Sequence, residues 1–183
     1  MQFVYSAIYN RKYMKLLTEI YRNNGIRING RTISRTAVRA VILQGTSLLM
    51  IHSAVGGDYK FPGGGVKEGE TLNEALAREV LEECGTKVST IKDEIGCIVE
   101  YAHPIEKDFD IFKMTSHYYF CDVENSFGSQ SLDEYEEELG FRPVWIHLED
   151  AIKTNKSLPP FAQKTNWLAR EIFMLEYLQR TLF

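Results

Sequence analysis

Residues 61–86, FPGGGVKEGETLNEALAREVLEECGT, constrain the fold and the function of this chain more than any other stretch. Three consecutive glycines are followed by six glutamates in this short window. Thr71 is a suitable helix N-cap, Glu74 three residues later completes a capping box, and Gly85 suits the C-terminal end. The pattern predicts a helix from Thr71 to Cys84 directly behind a glycine-rich loop.

Three glutamates share one face of this predicted helix, because Glu79, Glu82 and Glu83 are three and four residues apart. The packing face is expected on the opposite side, from Ala77, Val80, Leu81 and Cys84. Like charges at i and i+4 destabilise an isolated helix by about 0.2–0.5 kcal/mol per pair. Either the helix presents a solvated acidic face, or a cation neutralises it. Carboxylate oxygens suit Mg²⁺ or Mn²⁺.

The spacing in this window resembles the Nudix box, G-x5-E-x7-R-E-U-x-E-E-x-G-U, in which U is a bulky aliphatic residue. Its polar and glycine positions are matched by Gly64, Glu70, Arg78, Glu79, Glu82, Glu83 and Gly85. Thr86 departs from the pattern at a packing position. The resemblance implies a Nudix fold over residues 35–183, preceded by an N-terminal extension over residues 1–34. Strands mixed with a few helices also indicate an α+β protein, with a mixed β-sheet sandwiched between helices.

The resemblance implies a metal-dependent pyrophosphohydrolase that cleaves the diphosphate linkage of a nucleoside diphosphate joined to another moiety. Glu79, Glu82 and Glu83 would hold Mg²⁺ or Mn²⁺, and Glu82 is the residue whose replacement tests the mechanism. Gly64, or its neighbour Gly63, would add a backbone carbonyl. Nucleoside triphosphates, ADP-ribose-like molecules and dinucleotides all remain open as substrates.

Supporting catalytic roles also follow from the resemblance. Arg78 and Glu70 would form an ion pair that holds the glutamates in place, and Glu70 could also reach the metal. The proton-accepting carboxylate is expected in the box or in an acidic loop before the strand that contains Trp145. The candidates in that loop are Glu134, Glu136, Glu137 and Glu138. Glu138 is the first choice, because similar proteins have a glutamate a few residues before this strand.

Candidate substrate-binding residues are less distinctive. Arg35 and Arg39 share one face of the first main-domain strand and could meet a phosphate. The favoured alternative is that both are exposed strand arginines. Tyr101 could stack on a nucleobase, although packing is the more common role of such a ring.

Several secondary-structure elements are predicted outside the box. The extension is expected to contain a strand in residues 1–9, a helix over 11–23 and a hairpin around Asn29-Gly30. The remaining predictions are two strands around Gly45, strands at 87–101, 111–123 and 142–148, an acidic loop over 124–141, a short helix over 148–154, and an amphipathic helix over 161–183.

Composition and net charge limit the kinds of binding partner and the location that are expected. The net charge is −4 and the pI is about 5.6, so a small nucleotide is expected rather than duplex nucleic acid. The three cysteines match no zinc pattern. No membrane span or signal peptide is predicted, and a cytoplasmic location is expected. The extension could mediate a homodimer.

Two alternative functions remain at this stage. A non-catalytic Nudix-like module that senses a nucleotide would be expected to lack box glutamates or to carry a DNA-binding domain. This sequence keeps all the box glutamates, and no helix-turn-helix is found in it. An isomerase acting on isoprenoid diphosphates would need a catalytic cysteine in a loop, whereas Cys97 and Cys121 lie in predicted strands. Capped RNA is disfavoured as a substrate because the chain has no basic tract.

Overall fold

The computed structural model describes residues 15–26, 28–159 and 167–182. The elements are β1 (Leu16–Tyr21), β2 (Thr32–Gln44), β3 (Ser47–Ser53), β4 (Tyr59–Lys60), α1 (Leu72–Cys84), β5 (Val88–Ala102), β6 (Ile111–Val123), α2 (Glu134–Leu139), β7 (Phe141–His147), α3 (Leu148–Ser157) and α4 (Leu168–Leu182). The strand order is β1-β5-β6-β2-β3-β4, and β7 pairs with β3. The β1–β5 and β2–β6 pairs are parallel and the others antiparallel. The predicted α+β class with a mixed sheet is confirmed.

Side-chain alternation along β2 separates two hydrophobic cores. Val38, Ala40 and Ile42 pack with α1, whereas Val41 packs with α3 and α4. Helices therefore cover both faces of the sheet, as the predicted sandwich requires. Within the described ranges, no helix is long and apolar enough to cross a membrane.

Helix α1 begins and ends where its capping residues predict. Thr71 and Glu74 form the expected capping box, and Gly85 closes the helix at φ 69°. The predicted packing face is partly wrong, because Leu81 is 44% exposed whereas Glu83 is only 1% exposed. The glycine loop lies against this side of the helix and donates a hydrogen bond to the buried carboxylate.

The central and late elements agree well with the predictions. The strands on both sides of Gly45, the strands near 87–101 and 111–123, the late strand and the short helix after it are all confirmed. The segment predicted as an acidic loop is different, because it contains α2. A capping box at Asp133 and a left-handed Gly140 at φ 64° delimit this short helix.

The described part of the N-terminal extension contradicts the predicted helix. Residues 16–21 form β1, which pairs in parallel with β5. Leu17 and Ile20, whose spacing indicated a helix, pack against the core on the α4 side of the sheet. Backbone pairing with the sheet and packing outweigh local periodicity here.

The predicted hairpin around Asn29-Gly30 is also wrong in the residues that the structure describes. Thr32 begins β2, which pairs with β6 rather than with the residues before the turn. The strand predicted in residues 1–9 lies outside the described residues, as do residues 161–166 of the predicted final helix. Most of the rest of that helix is confirmed as α4 (Leu168–Leu182), and residue 183 also lies outside the described residues.

Strand β1 approaches β5 very closely at Gly96. This glycine has φ 145°, and a Cβ built on it would lie 2.5 Å from the carbonyl oxygen of Lys15. The same carbonyl accepts a hydrogen bond of 2.8 Å from the Cys97 amide. Only glycine combines this conformation with this approach. The sequence of β5 is therefore adapted to the presence of β1.

Candidate active site

The guanidinium group of Arg78 organises the carboxylates of α1. Its Nε and Nη2 donate to Glu70 at 2.6 and 2.9 Å, and Nη1 donates to Glu79 at 2.7 Å and to Glu82 at 2.9 Å. Nη2 also donates to the carbonyl of Gly65 at 3.0 Å, which joins the helix to the glycine loop. The hydrogen bonds from Arg78 lower the pKa of Glu70 to about 2.

Glu83 is held by a different cation. The Nζ of Lys60 lies 2.6 Å from one Glu83 oxygen, and the Gly63 amide donates to the other at 2.7 Å. Burial raises the pKa of Glu83 to about 7, although Lys60 and Gly63 act in the opposite direction. Lys60 was not among the residues predicted from the sequence. Its position directly before Phe61 and the glycine loop was the available signal.

The glycine loop fits closely between β2 and α1. A Cβ at Gly63, whose φ is 135°, would lie 2.1 Å from the Val38 carbonyl oxygen. A Cβ at Gly64 would lie 2.5 Å from a carboxylate oxygen of Glu79. The Gly64 carbonyl accepts a hydrogen bond of 3.0 Å from the Val38 amide. Glycine is needed at both positions to let the backbone reach the strand and the carboxylate.

The donor set fits a hard divalent cation. Glu79 and Glu82 each give one oxygen to Arg78, and the described residues donate no hydrogen bond to the second oxygen of either. Burial raises the pKa of Glu79, so a nearby cation would stabilise its charged form. In the described part of the chain, no three metal-binding side chains are already gathered around one point. Instead, the carboxylates form ion pairs with Arg78 and Lys60.

The two predicted substrate arginines differ in environment. Arg39 is only 8% exposed, so the favoured expectation of an exposed arginine is wrong at this position. Its Nη1 donates to the carbonyl of Gly63, and its Nε has no hydrogen-bond partner among the described residues. Arg35 is exposed, and its Nη2 lies 3.8 Å from a Cβ built at Gly65. Both arginines therefore reach the glycine loop.

The contacts of Tyr101 are with β1 and not with the glutamates of α1. Its ring stacks on Tyr21 of β1 with centroids 5.1 Å apart, and its hydroxyl donates to Glu19 at 3.1 Å. These contacts attach β1 to β5. Substrate binding by Tyr101 stays a prediction without geometric support.

The four candidate carboxylates near Trp145 lie on α2 and differ in burial. Glu136 is 6% exposed, and its oxygens accept hydrogen bonds from the Asp133 amide and the Tyr135 hydroxyl at 3.1 and 2.9 Å. Its charge adds to the effect of burial in raising the pKa of Glu83. Glu138 is exposed on the same helix. Helix α2 thus brings Glu136 close to Glu83 of α1.

The fold and the site together define an α+β protein with a glycine loop and a row of glutamates on the following helix. A family model described as "NUDIX domain" matches residues 33–166. This match covers well over half of the chain, and the chain therefore belongs to the Nudix family.

Relatives and solved structures agree with this assignment. Over 100 residues the chain is 36% identical to an RNA pyrophosphohydrolase of Helicobacter pylori strain G27, and it matches that of strain P12 equally. These alignments cover 53% of this chain and 63% of each relative, less than two thirds of the relatives' length.

Two solved structures are similar in fold. The solution structure of the E. coli ORF135 protein has a TM-score of 0.54 at 17% identity, covering 82% of this chain and 94% of that one. A Nudix hydrolase from Nitrosomonas europaea has a TM-score of 0.53 at 18% identity, covering 76% and 91%. At such low identities the similarity shows the shared fold alone.

Proposed function

We propose that this protein is a divalent-metal-dependent pyrophosphohydrolase that cleaves a phosphoanhydride bond of a nucleoside di- or triphosphate or one of its conjugates. The observation that carries the proposal is the arrangement around Arg78. Its single guanidinium group orients Glu70, Glu79 and Glu82 beside the glycine loop.

We assign the metal site to Glu79, Glu82, Glu83 and the carbonyl of Gly64. When bound, Mg²⁺ or Mn²⁺ would neutralise phosphate oxygens and stabilise the charge of the transition state. Arg78 would keep two of the carboxylates oriented while each retains an oxygen for the ion. Arg35 and Arg39 extend the positive charge around the glycine loop, where the phosphates of a substrate would lie.

A carboxylate on α2 would accept the proton of the attacking water. Glu138 remains the proposed base, and its side chain is exposed, whereas that of Glu136 is buried. Glu136 is the alternative. Its two oxygens already accept hydrogen bonds, which stabilise the ionised form and weaken it as a base.

Two substrate classes have support. The similarity to RNA pyrophosphohydrolases favours the 5′-triphosphate end of an RNA. The net charge of −4 and the acidic helix α2 favour a small nucleotide, because a long polyanion would be repelled. Both substrates present the same phosphoanhydride to the site.

A phosphate-release screen with Mg²⁺ or Mn²⁺ tests the proposal. The panel would contain nucleoside triphosphates, ADP-ribose, NADH, dinucleoside polyphosphates and a 5′-triphosphorylated oligoribonucleotide, with products separated by chromatography. Metal-dependent cleavage of one class is the expected result. Nucleotide binding without any cleavage would contradict the proposal and favour the nucleotide-sensing module.

A further inference from the structure

Helix α4 contributes a fully buried carboxylate that points at the glycine loop from the face of the sheet opposite α1. Glu171 is 0% exposed. One oxygen accepts hydrogen bonds from Arg170 at 2.6 and 3.1 Å. The other oxygen accepts a hydrogen bond of 3.0 Å from the backbone amide of Phe61. A buried charge requires such partners. The hydrogen bond to the Phe61 amide also connects Glu171 to the glycine loop of the site.

Phe61 is the residue from which the glycine loop starts. Its ring is fully buried and meets Tyr118 edge-on at 5.7 Å. Two residues later, the Gly63 amide donates to Glu83, and Gly64 lies against the carboxylate of Glu79. The loop is therefore held by Glu171 at its beginning and by α1 at its centre.

Glu171 belongs to a larger buried network. Arg170 also binds Glu100 of β5 at 2.7 Å, and Glu100 is bound in turn by Arg22, which follows β1, at 2.9 Å. Arg22, Arg170 and Glu171 all lie outside residues 33–166, the part of the chain matched by the family model. The flanking segments are thus connected through hydrogen bonds to the loop of the candidate metal site.

We propose that Glu171 is a positioning residue for the active site. It fixes the Phe61 amide and thereby the loop that sets the places of Glu83 and Glu79. This inference rests on the proposed function, because it assumes that these carboxylates bind the metal. A solely structural role for Glu171 would stabilise the fold without any influence on the metal.

The test measures Mn²⁺ affinity by electron paramagnetic resonance, without substrate, for the wild type, Glu171→Gln, Glu171→Leu and Glu176→Gln. Glu176 lies on the same helix in a partly exposed ion pair with Lys156, so its replacement is the matched control. We expect Glu171→Leu to weaken Mn²⁺ binding by about 10-fold or more, since it removes the acceptor of the Phe61 amide. The glutamine variant keeps an acceptor oxygen and should lose less, whereas the control should match the wild type.

Thermal unfolding of the same variants separates positioning from stability. A lower melting temperature combined with unchanged Mn²⁺ affinity of the folded Glu171→Leu protein would overturn the proposal. If that variant does not fold, the glutamine variant decides, and an Mn²⁺ affinity equal to that of the wild type would overturn the proposal.

Hydrogen exchange of the wild type adds a check that needs no substitution. The Phe61 amide should exchange as slowly as those of Val38 and Ala40, and rapid exchange would overturn the proposal.

Failure of the inference and failure of the proposed function give different results. If wild-type protein hydrolyses a substrate but Glu171→Leu binds Mn²⁺ normally, the positioning role is wrong and the function stands. If Glu171→Leu loses Mn²⁺ affinity but the wild type hydrolyses nothing in the panel, the positioning role is supported and the hydrolase function is wrong.

Discussion

Two clusters of charged side chains hold the glycine loop from its two sides, and they are built differently. The cluster around Arg78 comes from one loop and one helix, and its side chains are 11–34% exposed. The cluster around Arg170 joins the end of β1 to β5 and α4, and its side chains are at most 15% exposed. The first cluster is open enough to exchange partners with a cation. The second is closed and supports the loop from behind.

This difference in burial predicts different costs in stability for substitutions in the two clusters. Removing one partner of a buried ion pair leaves an uncompensated charge and costs about 3–5 kcal/mol. Ion pairs at the surface contribute about 0–1 kcal/mol. Substitutions in the Arg170 cluster should therefore destabilise the fold in addition to any effect on the glycine loop, whereas substitutions in the Arg78 cluster should lower hydrolysis with little loss of stability.

The largest effect is expected for Arg170→Met. This change leaves Glu171 and Glu100 with fewer partners in a buried environment, so the free energy of unfolding should fall by about 3–5 kcal/mol. Urea denaturation measures the loss. Lys156→Met, which removes a surface ion pair with Glu176, is the control. A loss below about 1 kcal/mol for Arg170→Met would show that the buried cluster is no more important than a surface pair.

The next prediction compares two carboxylates of α2. Glu138→Gln should lower kcat by about 100-fold, because the proposed base can no longer accept a proton. Glu136→Gln should have a smaller effect, since a glutamine can preserve its hydrogen bond to the Asp133 amide. Steady-state kinetics at saturating Mg²⁺ would measure both, with Glu149→Gln, an exposed glutamate of α3, as the control. The reverse order would assign the role of base to Glu136.

A third prediction concerns the contact between Gly64 and Glu79. In Gly64→Ala the new methyl group would displace the Glu79 carboxylate, and hydrolysis should fall by about 10- to 100-fold. Stability should change little, because the end of a flexible side chain can move aside. Gly65→Ala is the matched control, as its Cβ would have only an ordinary contact at 3.8 Å with Arg35. Equal rates for the two variants would contradict the close fit at Gly64.

The smallest effect is expected at the start of α1. Thr71→Ala removes the side-chain cap of the helix and should reduce the free energy of unfolding by about 1 kcal/mol. Asn73→Ala, at an exposed position of the same turn, should be neutral or slightly stabilising. Chemical denaturation of both variants would reveal whether the cap matters. Indistinguishable stabilities would contradict the capping assignment.

The Arg78 cluster could be predicted from the sequence because its parts are close along the chain. The caps of α1 and the spacing of its glutamates are local features, and the resemblance to the Nudix box added their roles. Which side chains of α1 are buried could not be predicted equally well. Burial of Glu83 depends on Lys60 and on the Gly63 amide, which a helical pattern does not reveal.

The Arg170 cluster could not be predicted, because its members are distant in sequence. Arg22, Glu100 and Arg170 meet only after β1 has joined the sheet and α4 has packed on it. The same long-range pairing explains why residues 16–21 form a strand despite their helical spacing. Arg39 was expected at the surface, but the glycine loop and its neighbouring charges bury it.

The most direct test of the central claim is the hydrolysis rate of Glu82→Gln with Mg²⁺, on the substrate that the wild type cleaves. Glu68→Gln, an exposed glutamate between the glycine loop and α1, is the control. If the α1 carboxylates bind the catalytic metal, the rate of Glu82→Gln should fall by about 100-fold or more while its melting temperature stays unchanged. Near-normal turnover by this variant would contradict the assignment of the site.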